Sequence, residues 1–468
     1  MKVWNQKVII ANTLMALLLT SLVTVMGSGS SLAAAATSEE DDEVSTSSDG
    51  LSAASGSNRF VVWQDGSSGG NSDIFFRRST DSGATWQSIK NLSANPGNSF
   101  GPQIAVSGSN VYVIWTQLNA DASLADVFFR GSTDNGVTWG SKIKISSSGT
   151  NTNFGTPHIA TSGSNVYITW QDTGADDVFF RRSTDEGASW KSIVNLSDNT
   201  GQSSDPQVAA SGSTVYVVWY DRTPGNYEIL LERSNDGGGT WEDVQNISNN
   251  GGDSFDPQIT VSDSYTYIVW RDSSTSASNT NILFSRSADD GETWDPSFDL
   301  SSDNKSNTDP LITVSGSNVY VVWVKRISSD GTEVYFRGST NNGANWGSRI
   351  KISNSGTEVS ITSHDIAASG SNVYISWSDD VSSDVYFRRS TDEGASWKAR
   401  INISNTAGFS ENTQIAALGS NVYIVWNDQT SGNRDILLKR STNSGSTWKA
   451  VKNLSNNDGV SELPQIGV

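Results

Sequence analysis

The chain of 468 residues contains no cysteine. Without thiols there are no disulfides, no thiolate metal ligands and no thiol redox chemistry, so packing must hold the molecule together. Histidine is nearly as scarce. His158 and His364 are the only two, too few for a multi-histidine zinc or iron centre and a poor basis for a histidine-dependent triad. Neither a metal nor a cofactor is expected. Basic charge is also in deficit: 31 Lys and Arg stand against 50 Asp and Glu, a formal charge of −19. Six of the acids (Glu39, Glu40, Asp41, Asp42, Glu43, Asp49) and two of the bases (Lys2, Lys7) precede residue 51, which leaves 44 acids against 29 bases, about −15, for the remainder. Such a surface repels phosphate backbones and anionic lipid. Nucleic acid is therefore not an expected partner, while cationic ligands, calcium, neutral glycans and proteins remain open.

The first 36 residues have the three parts of a secretion signal: Lys2 and Lys7, an apolar run from Val8 to about Met26, and Ala33-Ala34-Ala35-Ala36 as a small-residue cleavage region. The reading is a secreted or cell-surface protein with no membrane insertion once residues 1–36 are removed. An uncleaved anchor is the alternative, because the apolar run approaches spanning length. Residues 37–50, TSEEDDEVSTSSDG, are acidic and Ser/Thr-rich and are expected to form a disordered spacer. Residues 51–468 are expected to form one monomeric domain, since their length suits a single ring of repeated units.

From residue 51 the sequence repeats. The marker is S-x-D-x-G-x-x-W, first as Ser79-Asp81-Gly83-Trp86 and last as Ser441-Asn443-Gly445-Trp448, with eight copies whose tryptophans lie 51 to 53 residues apart. Each unit reads as four short strands. A first segment such as Pro102-Gln103-Ile104-Ala105-Val106 ends in a Ser-Gly-Ser-Asn turn, and an apolar run, Val111-Tyr112-Val113-Ile114-Trp115, follows it. That run is too short for a helix and apolar on both faces, as a strand sandwiched between two neighbouring sheets must be. A third strand, Asp126-Val127-Phe128-Phe129-Arg130, leads into the marker, and a fourth carries Ile143 and Ile145. Units of this kind cannot bury their faces alone and must stack. The predicted fold is all-β, an eight-bladed β-propeller of four-stranded antiparallel blades.

The marker reads as turn chemistry. Its Asp accepts backbone N–H groups from residues further on, its Gly takes a positive φ, and its Trp folds back as a wedge. Asn341 and Asn443 keep the acceptor without the charge, which a general acid, nucleophile or metal ligand would not tolerate. Eight tryptophans close the markers and eight more (Trp63, Trp115, Trp170, Trp219, Trp270, Trp323, Trp377, Trp426) end the second strands, so with Trp4 all 17 are accounted for as leader or repeat. The N-x-S sequons at Asn91, Asn195, Asn246, Asn402 and Asn453 recur in register and read as strand-end consensus. The first unit lacks a first strand, and the chain ends on a spare one, Pro464-Gln465-Ile466-Gly467-Val468. The C-terminal strand is therefore expected to close the ring and remove its open edge.

Marker, four-strand unit and leader together resemble the Asp-box (bacterial neuraminidase repeat) proteins of the sialidase superfamily over the whole chain after the spacer. The resemblance implies a propeller and, for the enzymes of the group, an arginine triad, a Tyr/Glu nucleophile pair and an Asp acid/base on six blades. Here there are eight units, and no Phe-Arg-Ile-Pro or Tyr-Arg-Ile-Pro segment supplies the first arginine. Arg77-Arg78, Arg181-Arg182 and Arg388-Arg389 sit before the box as repeat positions, and so do most tyrosines.

Ligand sites are expected on the loops opposite the boxes, and units four to six depart from the repeat there together. Asp205, Asp256 and Asp309 precede prolines, Arg222, Arg271 and Arg326 follow the second-strand tryptophans, and Tyr220, Tyr227 and Glu228 lie nearby. The arginines suit a carboxylate or sulfate and the acids suit sugar hydroxyls or a cation. Asp before Pro also simply favours turns. Tyr227 beside Glu228 is the one Tyr-Glu pair outside the repeat and hence the only nucleophile candidate. Gln103, Gln207, Gln258, Gln414, Gln465 and His158 align where they would ring the channel as structural polarity. Two functions follow: a noncatalytic propeller that binds an extracellular glycan or protein, favoured by the missing motifs, and an exo-acting glycoside hydrolase of sialidase type.

Overall fold

The computed structural model describes residues 56–468 apart from 67–69, 95, 120–123, 147–154, 156, 275–278, 304, 329–330 and 354–359. The expected leader and spacer lie outside the described residues. Eight four-stranded antiparallel sheets follow one another around a ring. In the fifth blade the inner strand is Ser254–Ser262, the second Tyr265–Asp272, the third Asn281–Ser287 and the outer only Phe298–Asp299. Among the described residues no helix is long and apolar enough to cross a membrane.

The second strands are buried along nearly their whole length, as expected of strands covered by a blade on each side. Their eight tryptophans are at most 2% exposed. Several indoles donate to a carboxylate two residues on, Trp63 to Asp65 at 3.0 Å and Trp219 to Asp221 at 3.2 Å. Those Asp residues also take hydroxyls from the inner strand, Ser461 to Asp65 at 2.7 Å and Ser203 to Asp221 at 2.6 Å.

The box divides its labour between two side chains. Ser183 Oγ accepts the Gly187 N–H at 2.9 Å and donates to Asp185 at 2.7 Å, while Asp185 accepts the Ser189 N–H at 2.8 Å, four residues on. Asn341 and Asn443 accept the corresponding N–H groups of Asn345 and Thr447 at 2.9 Å without a charge. Gly187 has φ +84°, and a Cβ there would come within 2.5 Å of the Phe129 ring in the preceding blade. Trp190 packs edge-on against that same ring at 4.9 Å. The wedge therefore closes a seam between blades as well as its own turn.

The basic residues two positions before the box serine serve the same seams. Arg77, Arg130, Arg181, Arg337 and Arg388, with Lys439, donate to the carbonyls of Leu454, Leu92, Ile145, Leu300, Ile352 and Ile403 in the preceding blade at 2.7 to 3.1 Å. The sequon amides are spoken for as well: Asn91, Asn195, Asn402 and Asn453 donate to Asp73, Asp177, Asp384 and Asp435 at the starts of the third strands. Closure is as the sequence predicts. Ser461–Gly467 pairs antiparallel with Arg59–Asp65 and completes the first blade.

Candidate functional site

The inner strands surround an axial cavity of about 640 Å³, lined chiefly by small and aliphatic side chains with Gln103, Gln414 and Gln465 at one end. The expected polar ring is present there. Gln207 and His158 lie 2.9 Å apart, and in the seventh blade Asp365 takes the ring position and accepts the Ile415 N–H of the next blade at 2.7 Å. These groups serve one another, which matches a structural role.

Just beyond the ring the inner strands of every blade but the third break register. In blades four to six the shifts fall between Ser204 and Gln207, Phe255 and Gln258, and Thr308 and Leu311, so each Asp-Pro pair sits in a bulge. Proline is at home there because the bulge needs no ladder hydrogen bond from it. Asp205, Asp256 and Asp309 have φ of +49°, +54° and +52°, a place that Gly101 and Asn412 hold in other blades. Backbone geometry favours Gly or a short polar residue here, although Leu463 holds the same place in the first blade at φ +50°. It leaves open why three neighbouring blades chose a charged one.

The charges meet. Arg271 Nε lies 2.8 Å from Asp256. Burial pushes the Asp256 carboxyl up to about 7, because the pull of Arg271 is opposed by Asp309 and Asp205. Burial likewise raises Tyr220, with Asp205 adding to it. Tyr220, Tyr227 and Phe255 form an aromatic trio with centroids 5.0 to 5.5 Å apart, over which Arg271 (on Phe255, 5.0 Å) and Arg222 (on Tyr227, 5.5 Å) are laid. The Tyr227 hydroxyl donates to Gln202 at 2.7 Å.

Not every expected residue joins this cluster. Arg271 directly follows its tryptophan, whereas Arg222 and Arg326 stand three residues beyond theirs, and both of these are exposed. The three arginines do not form one grip. Glu228 separates from Tyr227. Its carboxylate is buried and accepts from Asn226 at 2.8 Å, from the Asn250 N–H at 3.2 Å and from the Ser248 hydroxyl. That is the duty of Asp73 and Asp177 in the first and third blades, so Glu228 belongs to the repeat.

Three residues of the cluster were not foreseen: Phe255, Gln202 and His364. Phe255 is disguised because Phe100 holds the same place in the second blade. His364 leaves a clearer trace, since it stands where six other blades carry proline (Pro102, Pro157, Pro206, Pro257, Pro310 and Pro464) and the eighth carries Thr413. Its ring is buried beside Asp309.

A family model described as BNR repeat-like domain matches residues 58–309 and, overlapping, 160–375. The chain belongs to this family. As a BNR-repeat protein it has similar solved structures, all at low identity. The polysaccharide lyase Uly1 is 10% identical, with 70% of this chain and 86% of that one covered and a TM-score of 0.49. Hadza microbial sialidase Hz136 is 15% identical, with coverages of 79% and 87% and a TM-score of 0.38. The GH93 α-L-arabinofuranosidase of Fusarium graminearum is 15% identical, with coverages of 61% and 92% and a TM-score of 0.38. None of them assigns a residue of this BNR-repeat chain. No curated protein matches it.

Proposed function

We propose that this BNR-repeat propeller is a glycan-binding protein acting outside the cell, with its site at the axial mouth between blades four and six. One observation carries the reading: the sector in which the repeat departs most also gathers Tyr220, Tyr227, Phe255, Arg271, Asp205, Asp256 and Asp309 into one polar and aromatic surface. Aromatic faces with a few fixed charged groups are the usual chemistry of sugar recognition. Location outside the cell rests on the leader at residues 1–36.

A second reading, cleavage of a glycosidic bond, is favoured by Asp256, a carboxyl held near neutrality beside two further carboxylates. Glycan-array binding and turnover of a panel of fluorogenic glycosides, with wild type, Tyr227→Phe, Arg271→Ala and Asp256→Asn, separate the two. Binding lost in Arg271→Ala without turnover by any variant supports the first. Turnover by wild type that disappears in Asp256→Asn or Tyr227→Phe establishes the second.

A further inference from the structure

The first residue of each outer strand sits at the seam with the next blade. In blade one it is Lys90, whose amine donates to the Val137 carbonyl in the next box, and in blade four it is Gln245, which donates to the Gly291 carbonyl at 3.1 Å. Both side chains bridge the groove between an outer strand and the box beside it. In blade five the position is held by Phe298, which has no donor to give. Phe298 is 42% exposed, the most exposed aromatic side chain among the described residues. Where the bridge would lie there is a cleft of about 470 Å³, walled by Pro296 and Phe298 of blade five and by Ala344 and Trp346 of the box in blade six.

The cleft joins two kinds of surface. Its aromatic side is fixed: Trp346 packs edge-on against Phe284 at 4.8 Å, and Arg337 lies over the Phe298 ring at 5.2 Å without lining the cleft, which leaves the other face of the ring open. Its polar side consists of acceptors. Among the described residues nothing donates to the carbonyls of Gly343 and Ala344, the counterparts of those that Gln245 and Lys90 reach in their own seams. Asp295 adds a carboxylate whose side chain is 59% exposed. Its Oδ2 takes the Arg286 Nε–H at 2.7 Å, and among the described residues its Oδ1 has no donor.

We propose that this cleft is a second carbohydrate site, on the box face and apart from the mouth, which takes one neutral sugar unit with its C–H face on Phe298 and its hydroxyls toward Asp295 and the Gly343 and Ala344 carbonyls. A pyranose joins an apolar face to a rim of hydroxyl donors, the complement of an aromatic ring bordered by acceptors. A peptide is the poorer match. Its backbone brings an acceptor with nearly every donor, and the nearest strong donor, Arg286, is already held by Asp295 and by the Asn342 carbonyl at 2.7 Å. An anionic sugar would meet the Asp295 carboxylate. Open to solvent on one side, the cleft holds a single unit at roughly millimolar Kd, too weakly to survive the washing of an array. The site does not depend on the mouth and stands or falls apart from it.

The test is calorimetry at millimolar ligand on the full chain carrying Arg271→Ala, in which the mouth no longer contributes, with cellotetraose, mannotetraose and galactotetraose as probes and decaproline as the peptide control. At least one of the three sugars is expected to bind. Phe298→Lys, which restores the bridge of blade one, should weaken that binding at least roughly ten-fold without lowering the melting temperature, the scale of one lost aromatic contact. Phe298→Tyr keeps the ring and should keep the binding. Asp295→Ala, at an exposed side chain, should weaken it several-fold and serves as the second variant should Phe298→Lys disturb the fold. No sugar bound, or binding indifferent to both Phe298→Lys and Asp295→Ala, overturns the inference and leaves the mouth to be judged on wild type. Tighter binding of decaproline than of any of the sugars overturns it in favour of a peptide groove.

Discussion

Within each box the serine, not the acid, holds the buried hydrogen bond. Ser183 is fully buried and accepts the Gly187 N–H, so Ser183→Ala should strand that donor and cost about 1 to 3 kcal/mol in denaturant unfolding. Asp185→Asn should change stability little, because Asn341 and Asn443 already hold their turns without charge. A loss in Asp185→Asn as large as in Ser183→Ala would contradict this division. The acid has a pH signature of its own. Hydrogen bonds from Ser189 and Ser183 pull the Asp185 carboxyl down to about 2. A folded-state value below the unfolded one means that its contribution is complete above the ordinary Asp range and is lost as pH falls through about 2. The paired boxes differ for the same reason: the Asn boxes should show no such acid limb.

At the scale of the element, the blade seams are uneven. Six blades send an Arg or Lys to a carbonyl of the blade before, and the fourth carries Glu232 at that position. An acceptor has replaced a donor, Glu232 Oε2 is buried without a partner, and burial pushes the carboxyl up to about 7. Because the folded-state value exceeds the unfolded one, stability is greatest below the ordinary Glu range and falls as pH rises through about 7. Glu232→Gln should leave the melting temperature at pH 5 unchanged and stabilise the protein at pH 8 by about 1 to 2 kcal/mol, allowing for the partial exposure of the group. An equal effect at both pH values would show that ionisation is not the cause. The strands of these blades were legible in the sequence because the box recurs every 51 to 53 residues and brackets each apolar run. The seam was less legible. Arg77-Arg78 reads as repeat, but nothing local says which carbonyl it reaches.

On the scale of the whole molecule, closure by Ser461–Gly467 was readable from a missing first strand and a surplus last one. Deleting residues 461–468 should unpair Arg59–Asp65, expose that strand's edge and uncover the facing sides of the two neighbouring blades, lower the melting temperature by many degrees and promote aggregation. A truncated protein that melts with the full chain would refute closure as the lock. The mouth was only half legible. Asp205, Asp256 and Asp309 stood out, but Asp before Pro reads as a turn, and it takes the bulge geometry to show that the acids also converge. Arg222, Arg271 and Arg326 looked equivalent because each follows a second-strand tryptophan, yet Arg271 lies inside its strand, Arg326 ends its strand and Arg222 lies just past its own. His364 was passed over as one of two isolated histidines, since its meaning lies in the proline it replaces. The account therefore turns on whether that one departing sector, and not the repeat, binds the ligand. The direct measurement is a glycan-array and calorimetric comparison of wild type with a variant that returns the sector to the repeat, Tyr220→Gln, Asp256→Gly and Arg271→Thr, the residues found at Gln64, Gly101 and Thr116. The account predicts an unchanged fold by circular dichroism and loss of glycan binding; a variant that binds the same glycans as tightly as wild type would contradict it.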